Sequence, residues 1–403
     1  MNIGIFFKHD RTGGGIYQYF LSVMESVAHM NSTDRFFLFY CHAPEFLDDY
    51  LKARITAVKL NGPGNSEATA DGYEAWHDGK KISFKTPPCS EELRKATVQH
   101  AIDLMVFSNI ERESFESRLP YLTALHDWTH RTHPQFAEFV SNGVYEQREY
   151  IIHNSSRDSL LIMADSQTGK EELTQFYGIP TEKIAVLPFI PPPYFFQEPD
   201  ARERQQIKET YHLPEKFLFY PAQFWPHKNH ANIIRALHLL RQREGLEIPA
   251  LFTGSTANRW SSFEDLMALA RELGLADQIS YPGYIDSRHL PHLYALATML
   301  VIPTFPGPTN IPILEAFASG CPVVGTDIPA VQEQTQGAAL LVDPADPADI
   351  AQAISRLWNE PNLRRQLSEA GRERIRQWGP AQFALGFKDC LDKTKNLLAQ
   401  KTC

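Results

Sequence analysis

A chain of 403 residues has room for two or three domains of about 150 residues each. Its composition, 43% hydrophobic and 22% charged, is that of a globular protein and excludes collagen-like, coiled-coil and wholly disordered chains. A net charge of -9 argues against nucleic acid as a partner, because neutralising phosphates takes clustered Lys and Arg on one face.

Along the chain, short runs rich in β-branched and aromatic residues alternate with segments of helical period. That pattern builds parallel sheets covered by helices on both faces. The first run is Asn2 to Phe7. Lys8, Asp10 and Arg11 end it too early for a signal-peptide core or a bilayer-crossing helix, so the expected location is the cytosol. Ile16, Tyr17, Phe20, Leu21, Met24, Val27 and Ala28 then recur at helical spacing. Further strands are predicted at Arg35 to Cys41, Asp103 to Ser108, Tyr121 to Leu125, Ser159 to Ala164 and Lys183 to Leu187. The polar stretch from Asn61 to Ser90, punctuated by Gly and Pro, reads as one long loop.

From about Leu187 to Pro199 the segment LPFIPPPYFFQEP holds five prolines, which deny backbone donors and fix φ, so no regular element crosses it. The alternation restarts with Phe217 to Ala222, Ala250 to Gly254, Ile279 to Gly283, Met299 to Thr304, Pro322 to Thr326 and Ala338 to Asp343. The expected organisation is therefore a first α/β domain over 1–190 and a second over 191–379. A final helical segment, 380–403, is left with no strand to pair with and packs back on the first domain. Five cysteines (Cys41, Cys89, Cys321, Cys390 and Cys403), widely spaced and without a CxxC pair, are expected to be free thiols.

Three stretches carry chemistry. In KHDRTGGGIYQYF, Gly13, Gly14 and Gly15 open the first helix, where free amides and the helix dipole favour an anion. A flexible strand-to-helix turn is the plain alternative, and the spacing is not the GxGxxG of a dinucleotide fold. In YPAQFWPHKNH, Lys228 follows the first strand of the second domain, just before a helix expected to start near Asn229. The carboxyl ends of strands face the ligand crevice in such sheets, and a cation there suits a diphosphate. In IPTFPGPTNIPILEAFASGCPVVGTD, Asn310 is placed to cap a two-turn helix, Pro312 fits its first turn and Gly320 its exit. Leu314, Phe317 and Ala318 share its buried face. Glu315 stands on the flank of that face, with two oxygens able to accept from both hydroxyls of a ribose.

These segments together resemble glycosyltransferase family 4 over nearly the whole chain. The strongest likeness is NIPILEAFASGCPVV, flanked by LPHLYALATMLVIPT and GAALLVDPADPADIAQAI. GGGIYQYF, LTALHDWTHRTHPQF, ADSQTGKEELTQFYGIPTEKIAVLP and FYPAQFWPHKNH fall in the family's order. The resemblance implies the GT-B architecture, two Rossmann-like doubly wound domains facing each other across a cleft. It implies transfer of a sugar from a nucleotide-sugar co-substrate to a hydroxyl of a glycan, lipid-linked saccharide or small molecule, with retention of configuration and without a metal or other cofactor.

Residue by residue, the resemblance places Glu315 on the ribose and Lys228 on the diphosphate. Gly14 and Gly15 lie near the phosphates, and His126 approaches the donor sugar from the first domain. Gly307, Thr309, Asn310 and Ile311 belong to the donor loop. Two departures stand out. Gly307 occupies the position of the family's first Glu, and Gln223 that of an Arg, so Thr309, Asn310 and Gln223 become the substitutes for the lost contacts. Asp127, after a strand, is a candidate base for the acceptor hydroxyl or else a turn residue. Arg131 and His133 are candidates for the acceptor. A lipid-linked acceptor would bring the protein weakly to the inner face of a membrane, although no strongly basic amphipathic helix is visible. The alternatives are a nucleotide-sugar epimerase, a phosphorolytic enzyme, or a catalytically weak nucleotide-binding homologue.

Overall fold

The computed structural model describes residues 1–9, 14–44, 47, 55–61, 73–77, 79–84, 89–197, 200–257, 260–307 and 309–402. The chain divides into two compact units, Met1–Ile190 with Pro380–Cys403, and Pro191–Gly379. Each is built on its own parallel sheet.

In the first unit the strands are β1 (Asn2–Phe7), β2 (Arg35–Tyr40), β3 (Thr56–Lys59), a hairpin of β4 (Tyr73–His77) and β5 (Lys80–Phe84), then β6 (Leu104–Phe107), β7 (Tyr121–Ala124), β8 (Leu161–Ala164) and β9 (Ile184–Val186). Seven of them form one sheet in the order β3-β2-β1-β6-β7-β8-β9. All six residues of β1 are buried, as are all four of β6, β7 and β8, which is why these strands read as continuous apolar runs rather than as alternation. The Pro380–Thr402 helix packs on the Gly15–Ala28 helix of the same unit, where Phe383 meets the Tyr19 ring edge-on at 5.7 Å.

In the second unit β10 (Leu218–Pro221), β11 (Ala250–Thr253), β12 (Ile279–Ser280), β13 (Met299–Ile302), β14 (Val323–Thr326) and β15 (Leu340–Val342) lie in the order β12-β11-β10-β13-β14-β15, every pairing parallel. Its helices form two packed groups. The His230–Glu244 helix contacts both Phe263–Glu272 and Pro347–Asn359, and the Ile311–Ser319 helix contacts both Leu290–Leu296 and Pro361–Gln377. Both sheets reverse direction next to their first strand, so both units are doubly wound and Rossmann-like.

The structure corrects the sequence reading in three places. Part of the stretch expected to be one long loop is the antiparallel hairpin β4–β5, in which Ala75, Ile82 and Phe84 form a small apolar cluster against Tyr150 and Ile151. Its strands are only five residues each, and their alternation is masked in sequence by the Gly and Pro around them. Residues 62–72, 78 and 85–88 of that stretch lie outside the described residues. Strand β3 was not anticipated. Strand β12 is shorter than Ile279 to Gly283, since Pro282 offers no N–H to continue the ladder. Among the described residues, no helix is long and apolar enough to cross a membrane, and four cysteines, Cys41, Cys89, Cys321 and Cys390, are free and buried.

Candidate active site

Strand order in the second sheet reverses between β10 and β13. The loops that leave the carboxyl ends of those two strands therefore diverge and leave room for a ligand. They are tied to each other directly. The carbonyl of His227 accepts from Phe305 N–H at 3.0 Å and from the Thr304 hydroxyl at 3.2 Å. Asn229 Nδ2 donates to the carbonyls of Pro303 at 2.8 Å and Pro344 at 2.7 Å. Behind the first loop, β11 is followed by Gly254 with φ 147°, and a Cβ there would stand 2.3 Å from the Ala222 carbonyl oxygen. Only glycine lets the two strand ends run that close.

Lys228, half-buried, is the last residue of a 3-10 turn, Pro226–Lys228, and its carbonyl accepts from the fully buried Tyr220 hydroxyl at 2.9 Å. The helix starts at His230, next to Asn229 as expected. Asn229 is left-handed (φ 65°, ψ 31°) and uses its side chain to strap the loops rather than to cap. Gln223 lies part-buried on the same loop. His230 is packed by Tyr220, Phe224 and Phe252, and its burial pushes the imidazole down to about 3, so it is neutral at physiological pH.

The loop after β13 contains Gly307, whose φ of 143° is a conformation that L side chains rarely adopt, so a Glu at this position would be strained. The helix beyond it runs Ile311–Ser319, with Pro312 in its first turn and Gly320 left-handed at its exit. Asn310 stands at the cap position but makes no side-chain cap bond, contrary to expectation. Instead the Gln334 amide clamps its backbone, accepting from Asn310 N–H at 3.1 Å and donating to its carbonyl at 2.9 Å. That leaves Asn310 Nδ2 buried without a partner among the described residues. Thr309 precedes it and Ile311 is buried in the first helical turn.

Glu315, expected on the flank of the buried face, is itself buried. It is 6% exposed, on a helix buried nearly all round, and Oε2 accepts from the Tyr294 hydroxyl at 2.8 Å. Burial pushes its carboxyl up to about 7, opposed only by that hydrogen bond. Oε1 takes no partner among the described residues and is not one of the sealed polar atoms. Tyr294, Asn229 and Gln334 escaped sequence reasoning. Their roles depend on groups 21 to 115 residues away, and no local spacing signals them.

In the first unit, Gly14 precedes the Gly15–Ala28 helix, with open space where a Cβ would be; Gly13 lies outside the described residues. His126, just beyond β7, directs Nε2 to the Ser108 carbonyl at 3.2 Å and meets the Tyr19 ring at 4.4 Å. Burial pushes its imidazole down to about 4. Asp127 forms a turn, with Oδ1 accepting from the Thr129 N–H at 2.8 Å and its hydroxyl at 2.6 Å, and Oδ2 from Arg148 at 3.0 Å. Partial desolvation of this half-exposed side chain works against ionisation, but the Arg148 guanidinium and the Thr129 bonds outweigh it and hold the carboxyl below its ordinary range. A carboxylate so engaged is a poor base.

Arg131 forks onto Glu149, donates to the Phe176 carbonyl and stacks on the Tyr177 ring, so most of its donors are already committed within the unit. His133 is part-buried, with Nδ1 at 2.9 Å from the Thr132 hydroxyl. Among the described residues, no three His, Cys, Asp or Glu side chains are grouped to hold a metal ion.

Residues 201–374, inside the second unit, match the family described as "Glycosyl transferases group 1". The chain is similar to O-antigen chain mannosyltransferase B of Escherichia coli, 24% identical over 277 residues that cover 68% of this chain and 69% of that one. It is 23% identical over 275 residues to the serotype-specific mannosyltransferase WbdA of the same species, covering 67% of this chain but only 32% of that longer relative. Among solved structures, Anabaena Alr3699/HepE in complex with UDP-glucose superposes with a TM-score of 0.74 at 16% identity, over 97% of this chain and 99% of that one.

Proposed function

We infer, on the premise that residues 201–374 make this chain a group 1 glycosyl transferase of GT-B fold, that the second unit holds a nucleotide-sugar by its ribose and diphosphate and gives up the sugar to an acceptor hydroxyl. One observation carries the assignment of the site. Glu315 is a carboxyl buried beside the loops that diverge at the β10/β13 switch point, yet it keeps one oxygen without a protein partner. A buried carboxylate left half-satisfied costs stability, and a vicinal diol is a ligand that supplies the missing donors.

Lys228, on the companion loop, offsets the charge that appears on the diphosphate as it leaves. Gln223 adds a neutral donor in place of a cation. Asn310 Nδ2, buried and unpartnered, supplies a donor to a sugar hydroxyl or phosphate oxygen where Gly307 has no side chain to offer; Thr309 and the Ile311 amide belong to the same cradle. In the transfer the bond from C1 to the diphosphate oxygen breaks, the acceptor oxygen bonds to C1, and the acceptor proton leaves with the diphosphate or solvent. Retention of configuration and independence of a metal ion are part of this proposal; Lys228 and the Ile311 amide would take the charge-offsetting role that a metal has in other transferases.

The names of the relatives favour a mannosyl donor and a glycan acceptor. His126 in the first unit remains the residue proposed for the donor sugar, and His133 the one proposed for the acceptor. Arg131 and Asp127 are left out because their hydrogen bonds are internal.

The test is release of nucleoside diphosphate from GDP-mannose and UDP-glucose with a panel of glycan acceptors, followed by anomeric assignment of the product by NMR. Loss of turnover in Glu315→Ala and Lys228→Ala is expected. Unchanged rates in both would remove the assigned donor site.

A further inference from the structure

The carboxylate just described can serve a diol only if its orientation is fixed, and one side chain in the second unit does this. Tyr294 is fully buried on the Leu290–Leu296 helix, with its ring edge-on to Phe219 of β10 at 5.0 Å and to Phe195 at 5.8 Å. These two edge-to-face contacts hold the ring in one rotamer, so the position of the hydroxyl oxygen is set. That hydroxyl donates to Glu315 Oε2 at 2.8 Å.

We infer that Tyr294 is the positioning residue of the donor site, holding Oε2 of Glu315 so that Oε1 is the oxygen presented to the ligand. This rests on the donor site proposed above. Here the bond favours the ionised carboxylate, which burial alone disfavours. Without the hydroxyl, Glu315 would be neutral over more of the physiological range, and a protonated carboxyl offers the ribose one acceptor fewer.

The groups around this pair are few. The elements packed against the Ile311–Ser319 helix are the Leu290–Leu296 helix, the Pro193–Phe196 turn, β13, β14 and the Pro361–Gln377 helix. The titratable groups near the pair on or beside those elements are Tyr194 and Cys321, both neutral in ordinary solution. Arg372, on the Pro361–Gln377 helix, lies against Gly320 at the far end of the helix. His292, next to Tyr294 in its helix, is turned to Glu203.

The experiment compares the full-length wild type with Tyr294→Phe, Glu315→Gln and the double variant. Kinetics with GDP-mannose and UDP-glucose, and binding of GDP and UDP, are followed from pH 6 to 9. Tyr294→Phe keeps the ring and its packing. It is expected to raise the donor KM about tenfold or more with kcat nearly unchanged, the effect of losing a hydrogen bond to a charged group. It should also move the acidic limb of kcat/KM to higher pH, and adding it to Glu315→Gln should have little further effect. A Tyr294→Phe enzyme with wild-type donor KM and an unmoved acidic limb, beside an impaired Glu315→Gln, overturns the positioning role alone. A Glu315→Gln enzyme with normal donor KM, or no binding of either diphosphate, overturns the donor site and this inference with it.

Discussion

Replacing Glu315 by Gln should make the protein more stable in alkaline solution while making it a worse enzyme. The carboxyl ordinarily titrates near 4.5 and is pushed to about 7 in the fold. A group raised in this way contributes stability that is fully present below about 4.5 and is lost as the pH climbs through 7, because the unfolded chain sheds its proton first. From 4.5 to 7 is 2.5 pH units, which at about 1.36 kcal/mol each amounts to about 3 kcal/mol of destabilisation above neutrality. Gln has no charge to desolvate. Its buried amide N–H carries a penalty of its own, but that penalty does not vary with pH. The quantity to measure is therefore the change with pH in the difference between variant and wild type.

For a unit the size of Pro191–Gly379, about 3 kcal/mol corresponds to roughly 5 to 10 °C in Tm. Calorimetry without donor at pH 5 and pH 8 should show the Glu315→Gln advantage growing by that amount toward pH 8, while its donor KM rises. Parallel Tm curves for the two proteins across this range would refute the argument, because they would mean that Glu315 ionises in the fold as freely as in water.

Three further outcomes follow from the site and its frame. Lys228→Ala should lower kcat/KM for the donor by about 10- to 100-fold, the worth of one charged hydrogen bond, and chelation with EDTA should leave the wild-type rate unchanged. A chelator-sensitive rate would return the charge-offsetting role to a metal. Gly254→Ala should cost more than about 2 kcal/mol in a urea titration, since the new methyl meets the Ala222 carbonyl and φ is 147°; a stability equal to wild type would mean that the β10 and β11 ends separate easily. Asp127→Asn should keep turnover within about threefold and lose less than about 1 kcal/mol, because its ion pair with Arg148 is partly solvated and Asn can still accept from Thr129. A hundredfold fall in rate would restore Asp127 as the base.

What the sequence by itself determined was local. Runs such as Asn2 to Phe7 and Met299 to Thr304 became strands because uninterrupted apolar residues suit a sheet buried on both faces. Pro312 and Gly320 bounded the helix of Glu315 because a fixed φ suits the first turn and a positive φ the exit. The alternation of those elements was enough to imply two parallel sheets with helices on both faces, and the family resemblance implied the doubly wound strand order that is observed.

Tertiary structure decided the electrostatics. Glu315, expected on the flank of the buried face, is enclosed with Tyr294 because the Leu290–Leu296 helix packs across it. Arg131, a candidate for the acceptor, and Asp127, a candidate base or else a turn residue, are engaged by Glu149 and Arg148 on the Val144–Asp158 helix, and Asp127 is the turn residue. Asn310, read as a cap, is held by Gln334 from the next helix. Helical period and end residues act over one or two turns and leave a mark in sequence. Burial and ion pairing depend on which distant segments meet, and the meeting is settled only when the core packs.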